Sequence, residues 1–273
     1  MNKEIKKLTK IAQNIRIDII KMLHKAGSGH TAGSLGMTDI FVSLYFNILN
    51  HKPKLPTWPH RDRVVLSNGH ICPALYATLA HSGYFPCKKL MTLRQLGSPL
   101  QGHPHRLSLP GIENTSGPLG QGLSQACGIA LAAKLNHQNH RIYCLTSDGE
   151  HNEGQTWEAI MFASKYKLNN LTQIIDRNNI QIDGHTENVM SLEPLREKYK
   201  AFNWHVIDID GHNFQNIIDA CNLSKTIYEK PTLIIAHTIP GKGVDFMENN
   251  PSWHGRSPNP TETKLAIKQI SVS

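Results

Sequence analysis

The sequence has few cysteines, and no two of them are spaced as a CxxC pair. The five, an odd number, are Cys72, Cys87, Cys127, Cys144 and Cys221. This scatter argues against a disulfide framework and against a cysteine-based zinc site, and it is typical of proteins in a reducing compartment. We therefore expect a cytoplasmic protein.

Long apolar runs are also missing. No run approaches the ~18 residues that a membrane-spanning helix needs. Arg16, Asp18 and Lys21 follow one another at helical spacing in the N-terminal segment, which breaks any signal-peptide core. We predict a soluble chain that has no membrane partner.

The positive charge is not concentrated in one place. The chain has 29 Lys and Arg against 21 Asp and Glu, a formal net charge of +8, but these residues are dispersed. Because no basic stripe alternates with aromatic residues, we expect no nucleic-acid partner. A small anionic substrate or cofactor explains the mild basicity equally well. The 16 histidines are more informative, since several of them follow glycines in predicted loops.

The spacing of apolar residues predicts alternating helices and strands. A helix is expected over 3–24, ended by Gly27 and Gly29, and a second one follows the potential N-cap pair Thr38-Asp39 and continues to Leu49. Strands are predicted at 64–66, 142–146, 171–176, 205–209 and 232–237, with helices at 119–135, 156–166 and 214–227. This alternation is typical of a parallel sheet with helices on both faces. We expect one α/β domain over 1–273, with a loose tail after about Ser257.

Polar residues follow two of the predicted strands. Ser147-Asp148-Gly149 follows one strand, and Asn178-Asn179 follows the next. In a right-handed βαβ unit both loops reach the same sheet edge, where ligands bind in such folds. Carboxylate and amide oxygens suit Mg²⁺ or Ca²⁺, and Mg²⁺ often completes its shell with phosphate oxygens. Either dipeptide alone is more typical of an ordinary turn; the paired positions favour a site.

Together with other short motifs, this pair resembles a known family. Asp148-Gly149 and Asn178 resemble the thiamine-diphosphate signature, and the other motifs resemble, in the same order, the N-terminal part of transketolases. They are Gly-Ser-Gly-His at 27–30, Ser-Asn-Gly-His at 67–70, Gly-His-Pro at 102–104, Thr-Ser-Gly-Pro-Leu-Gly-Gln-Gly at 115–122, Glu-Gly at 153–154, Ile-Asp-Gly at 182–184 and Trp-His-Gly at 253–255.

The resemblance implies a thiamine-diphosphate-binding fold and a role for each matching residue. Asp148, Asn178 and the main-chain carbonyl of Ile180 would bind Mg²⁺ (or Ca²⁺). The implied cofactor-binding residues are His70, Gly117, Pro118, Leu119, Gly149, Glu150, Glu153, Asn178 and His254. Among these, the 117–119 segment would hold the aminopyrimidine side, Gly149 and Glu150 would lie against the diphosphate, and Glu153 would lie near the subunit boundary.

The resemblance also implies a substrate channel lined by histidines. His30, His70, His103 and His254 would be its catalytic residues. The reaction makes and breaks carbon–carbon bonds beside hydroxyls, so it needs groups that exchange protons near pH 7. A single buried histidine is more often structural, and zinc ligation is the other alternative. The sequence contains neither an HxxxH helix pair nor suitable cysteine partners for zinc.

The sequence departs from the family pattern in two respects. Ser147 stands where the family has the first glycine of Gly-Asp-Gly, which adds a side chain near the expected diphosphate. The pyrimidine-binding and C-terminal domains of a full transketolase, with the glutamate that activates the cofactor, have no counterpart within 1–273. We therefore expect a separate C-terminal subunit, with two copies of each chain in the assembly.

The implied activity is that of a transferase. The two-chain enzyme would move a two-carbon ketol unit from a ketose to an aldose, with sugar phosphates as the expected substrates. One alternative is a subunit of another thiamine enzyme, such as one resembling deoxyxylulose-phosphate synthase. The other is a non-catalytic regulatory chain. Ser-Asn-Gly-His at 67–70 and Gly-Pro-Leu-Gly-Gln-Gly at 117–122 favour the transketolase branch, and the intact Asp148, Asn178 and channel histidines argue against a decayed site.

Overall fold

Five parallel strands form the centre of the structure. The computed structural model describes residues 3–272. Its central sheet has the order β1-β2-β3-β7-β6, and every neighbouring pair in it is parallel. A short antiparallel hairpin, β4-β5, follows β3. The strands are β1 Arg63–Leu66, β2 Ile142–Ser147, β3 Leu171–Arg177, β4 Ile180–Gln181, β5 Gly184–His185, β6 His205–Asp210 and β7 Thr232–His237.

Helices connect the strands and cover the sheet. They are α1 Lys3–Ala26, α2 Ala32–Gly36, α3 Thr38–Ser43, α4 Cys72–His81, α5 Gly122–Leu135, α6 Gly154–Lys165, α7 Thr186–Val189, α8 Leu195–Ala201, α9 Phe214–Ser224 and α10 Pro260–Val272. All five cysteines are free. None of the helices in the described range 3–272 combines the length and the apolar character needed to cross a membrane.

The apolar side chains of the strands divide into two cores. On β1, Val64 and Leu66 belong to one core and Val65 to the other, because successive side chains of a strand point to opposite faces. The first core contains apolar residues of α1, α4, α9 and α10, and the second those of α5, α6 and α8. The predicted sheet with helices on both faces is confirmed.

Two local predictions are wrong. The C-terminal tail is a helix, α10, and it packs on α1: Ala266 and Ile270 are fully buried, and Gln13 Nε2 donates to Ile270 O at 2.7 Å. Thr38-Asp39 does not cap α3, whose N-cap is Met37. Asp39 is instead buried and accepts from Arg16 Nη2 at 2.7 Å. A buried arginine needs a carboxylate, and this requirement outweighs the capping preference.

Candidate active site

The four histidines of the predicted channel lie together at one edge of the sheet. The ring centroid of His30 is 5.0 Å from that of His70, 6.4 Å from that of His103 and 5.5 Å from that of His254. His70 and His254 are 5.3 Å apart by the same measure. The loops that carry these residues are widely separated in the sequence, so the fold itself assembles the cluster.

Burial keeps these imidazoles neutral. Burial, together with the neighbouring His254 and Arg94, lowers the pKa of His30 to about 4. The pKa of His70 also falls well below its usual value, chiefly through burial. The pKa values of His103 and His254 are lowered for the same first reason. Near pH 7 the cluster therefore offers neutral imidazoles, each with one nitrogen that donates and one that accepts a hydrogen bond.

Asp148 and Asn178 lie in adjacent loops that follow β2 and β3. The two strands are paired there, with Ser147 opposite Asp176. Asp148 accepts from the main-chain nitrogens of its surroundings: Oδ1 from Gly149 N at 2.8 Å and Oδ2 from Asn179 N at 2.7 Å. Asn178 Oδ1 accepts from Ile180 N at 2.9 Å. The three predicted metal-binding residues therefore form one cluster.

Two charged residues outside the predicted site, Arg177 and Asp176, contact this cluster. Arg177 Nη1 donates to Asp148 Oδ2 at 3.1 Å. Asp176 Oδ2 accepts from Asn178 Nδ2 at 2.7 Å, and its other oxygen accepts from the hydroxyl of Thr238. Burial raises the pKa of Asp176 to about 7. Charged residues at the end of an otherwise apolar strand were the available signal for both.

Glu150 connects three loops of the site. Its carboxylate is fully buried and accepts from the hydroxyl of Ser67, from Gly120 N at 3.0 Å and from Ser147 N at 2.8 Å. Burial raises the pKa of this carboxyl. Contact between Glu150 and a diphosphate remains a prediction. The carboxylate itself accepts hydrogen bonds from groups of this chain. The Ser147 hydroxyl lies 3.4 Å from Glu150 Oε2, so the side chain that departs from the family pattern faces the carboxylate.

The loop that carries the 117–119 segment approaches α6 closely. Gly120 has a φ of +79°, and a Cβ there would lie 2.6 Å from Cβ of Glu153. Only glycine allows both this backbone conformation and this contact. Gly117 has open space beside it, and a Cβ on Gly149 would lie 3.3 Å from Cβ of Gln181. The predicted 117–119 segment and Glu153 therefore lie in neighbouring parts of the structure.

The donors and acceptors of these loops fit thiamine diphosphate and a divalent cation. Several buried polar atoms there have no hydrogen-bond partner within residues 3–272: His30 Nδ1, both side-chain polar atoms of Asn68, Ser116 Oγ and Gln181 Nε2. Such atoms cost about 1–3 kcal/mol each when unpaired, and a polar ligand would remove that cost. The cation donors would be one carboxylate, one amide and one carbonyl, all oxygens, as Mg²⁺ prefers.

Comparison with known proteins identifies the family. The family described as "Transketolase, thiamine diphosphate binding domain" matches residues 7–271. This chain belongs to that family. It is 43% identical to the 6-deoxy-6-sulfo-D-fructose transketolase subunit SqwG of Clostridium sp. (strain MSTE9), over 95% of this chain and 94% of the relative. It is 41% identical to one of the subunits of apulose-4-phosphate transketolase from Phocaeicola vulgatus, over 93% of this chain and 90% of the relative.

Solved structures agree with this assignment. Transketolase from Campylobacter jejuni superposes with a TM-score of 0.92 at 37% identity, over 99% of this chain and 43% of that one. In sequence, human transketolase is 38% identical to this chain, over 98% of this chain and 42% of the human protein. The chain thus spans about two fifths of such transketolases. The predicted family, fold and transferase class are confirmed, as is thiamine diphosphate as the cofactor of this domain.

Proposed function

We propose that this chain is the diphosphate-binding subunit of a two-chain transketolase, with one such domain over 1–273. The enzyme would move a two-carbon ketol unit from a ketose to an aldose. Relatives that it matches along nearly their whole length are named transketolase subunits. The observation that carries the proposal is the joint presence of the Asp148–Asn178 cluster and the four neutral histidines at one sheet edge.

The chain's oxygen donors would hold the cation and, through it, the diphosphate. Asp148, Asn178 and the carbonyl of Ile180 are the proposed ligands of Mg²⁺. Gly149 carries no side chain and would therefore let the main chain come close to a phosphate. Thiamine diphosphate supplies the nucleophilic carbon and the electron sink. The 117–119 segment, with Glu153 beside it, would hold the aminopyrimidine side.

The histidines would bind the substrate through its hydroxyls. As neutral groups, His30, His70, His103 and His254 can both donate to and accept from the hydroxyls of a sugar. They can also pass a proton to or from an oxygen beside the bond that breaks. A charged lysine or arginine could donate but could not accept. The lowered histidine pKa values therefore support a role for neutral imidazoles in orienting hydroxyls.

A partner chain would complete the site. We propose that it carries the pyrimidine-binding domain, including the glutamate that activates the cofactor, and that the assembly contains two copies of each chain. The full-length transketolases that resemble this chain extend well beyond it, which supports a partner of that kind. The reducing compartment expected from the five free cysteines is part of the same proposal.

An anionic sugar is the proposed substrate class. The two relatives above are named for a sulfonated and a phosphorylated sugar. For this chain, with its net charge of +8, we propose a ketose phosphate as donor and an aldose phosphate as acceptor. A thiamine enzyme resembling deoxyxylulose-phosphate synthase remains the second candidate, favoured only by the shared cofactor.

The test is an assay of the purified chain alone, of the partner alone and of both together. Each sample contains Mg²⁺, thiamine diphosphate, a ketose phosphate and an aldose phosphate. We expect ketol transfer only from the mixture. Turnover by this chain alone would contradict the two-chain proposal. Cofactor binding by the mixture without any transfer would favour the regulatory alternative.

A further inference from the structure

Arg177 joins the proposed cation site to a different part of the chain. It is the last residue of β3, and its side chain is only 4% exposed. Nη1 contacts Asp148 Oδ2 at 3.1 Å, while Nη2 contacts Glu187 Oε1 at 2.7 Å and Glu193 Oε1 at 2.9 Å. One guanidinium therefore bridges a buried carboxylate and two carboxylates of the segment after β5.

Asp148 retains acceptor capacity despite this contact. A carboxylate has about four lone-pair positions. Arg177 Nη1 and Asn179 N donate to Oδ2, and Gly149 N donates to Oδ1. Oδ1 therefore has a position left for a cation. The three donors fix the rotation of the carboxylate, so Arg177 orients Asp148 without occupying the oxygen that a metal would use.

The two glutamates are held in place independently of the guanidinium. Glu187 Oε2 accepts from Ser191 Oγ at 2.6 Å, and its Oε1 accepts from Leu192 N at 3.2 Å. Glu193 Oε2 accepts from Leu195 N at 2.8 Å. Both carboxylates are therefore presented to Arg177 by local hydrogen bonds, and their negative charges lie on the side of the guanidinium away from Asp148.

We propose that Arg177 is a positioning residue for the divalent cation and that Glu187 and Glu193 are its counter-charges. The inference rests on the proposed function, because it takes the Asp148 cluster to be the cation site. With both glutamates ionised, most of the guanidinium charge is compensated on the side away from the cation. When they are neutralised, the full positive charge faces Asp148 and the cation, and it weakens binding of the cation.

The arrangement also requires an arginine and not merely a positive charge. The planar guanidinium has five N–H donors in a fixed fork, and here it serves three carboxylates at once. A lysine ammonium is a single point charge on a flexible stem. Arg177→Lys should therefore lose much of the coupling between the glutamates and the cation site, although its charge is unchanged.

The test measures the affinity for Mn²⁺ by electron paramagnetic resonance in the assembled two-chain enzyme with thiamine diphosphate present. Mn²⁺ accepts the same oxygen ligands as Mg²⁺. The variants are Glu187→Gln/Glu193→Gln, Arg177→Met and the combination of all three changes. We expect the double glutamate variant to bind Mn²⁺ at least about fivefold more weakly, since an uncompensated charge then lies near the cation.

In the Arg177→Met background the same two glutamate changes should alter the affinity by less than about twofold. They then act only at long range, where salt of about 0.15 M screens them with a Debye length of ~8 Å. Equal shifts in the two backgrounds, or no shift with Arg177 present, would overturn the proposal. A lower melting temperature with unchanged Mn²⁺ affinity would also overturn it, because that result indicates a structural role alone.

Two controls separate this inference from the proposed function. Glu197→Gln removes an exposed carboxylate of the neighbouring helix α8 and should leave the Mn²⁺ affinity unchanged. Asp148→Ala should abolish specific Mn²⁺ binding. If Asp148→Ala bound Mn²⁺ normally, the cation site itself would be misplaced. If Asp148→Ala abolished Mn²⁺ binding but the glutamate variants did not change it, the cation site would be correct and the role proposed for Arg177 would be wrong. Glu193→Gln alone serves as the milder variant should the double change unfold the segment.

Discussion

The imidazole rings of His30 and His254 meet nearly at right angles, at 87°, with their centroids 5.5 Å apart. The two residues come from opposite ends of the chain, and burial is the first cause of the lowered pKa of each. Their juxtaposition brings two neutral imidazoles from distant parts of the chain together, as the proposed substrate channel requires.

Replacing either of these histidines should slow turnover, and replacing His30 should leave the cofactor affinity nearly unchanged. For His30→Ala and His254→Ala in the assembled enzyme, we expect kcat to fall by about 10²–10⁴, the usual contribution of one proton-transfer group. In His30→Ala the thiamine diphosphate affinity should stay within about threefold, because His30 is expected to contact the substrate and not the cofactor. His60→Ala, at an exposed position, is the control. A loss of less than about tenfold at saturating sugar would favour a structural role.

Removing the Asp148 carboxylate should abolish Mg²⁺-dependent cofactor binding. In Asp148→Ala the diphosphate loses the cation that links it to the protein. The fold should persist, since the change lies in a loop and Arg177 keeps its contacts with Glu187 and Glu193. The measurement is a titration of the assembled enzyme with thiamine diphosphate, with and without Mg²⁺, followed by circular dichroism. An affinity equal to that of the unmodified enzyme would show the metal assignment to be wrong.

The hydrogen bonds accepted by Glu150 should contribute several kcal/mol to the free energy of unfolding. Glu150→Ala leaves the hydroxyl of Ser67 and the nitrogens of Gly120 and Ser147 without their buried acceptor. At about 1–3 kcal/mol for each unpaired group, with partial relaxation, we expect the free energy of unfolding to fall by roughly 3–5 kcal/mol. Urea unfolding measures it, and Glu197→Ala is the exposed control. A loss below about 1 kcal/mol would contradict this role.

Stability should depend on a buried histidine below pH 6.5. His151 contacts Ser147 O through Nδ1 and the Tyr199 hydroxyl through Nε2, both at 2.8 Å, and burial lowers its pKa to about 4. The unfolded chain binds a proton near pH 6.5 and the folded chain does not. The contribution of His151 is therefore complete above pH 6.5 and is lost as the pH falls towards 4.

This dependence can be measured with a neutral replacement. In His151→Gln, the free energy of unfolding should fall less steeply between pH 6.5 and 4, by up to ~1.4 kcal/mol per pH unit, the equivalent of one proton. Urea unfolding at several pH values provides the slope. An unchanged slope would mean that His151 takes up its proton equally in both states. His60→Gln, exposed to solvent, should leave the slope as it is.

Most strands and helices, and the sheet edge at which the site lies, could be predicted from the sequence. Strands and helices follow local apolar patterns, and the position of the edge follows from the topology of a parallel sheet. The apolar runs before Asp148 and Asn178 are strands, and parallel strands bring their carboxyl ends to one edge. The prediction of a loose tail after Ser257 is wrong because α10 buries Ala266 and Ile270 and is held by its contact with α1.

Side-chain partnerships could not be predicted in the same way. The resemblance implies that Glu150 lies against the diphosphate, which stays a prediction. It gave no indication that the carboxylate accepts from Ser67 and Gly120. The contact of Arg177 with Asp148 depends on rotamers and burial that no spacing rule specifies. Long-range pairing of buried polar groups becomes visible only in three dimensions.

The register that sets Ser147 of β2 opposite Asp176 of β3 has a consequence for assembly. The loops with Asp148 and Asn178 leave these two central strands directly, so their separation is as fixed as the sheet itself. The proposed partner subunit would then meet a preformed half-site. Its docking would cost little ordering entropy on this side of the boundary.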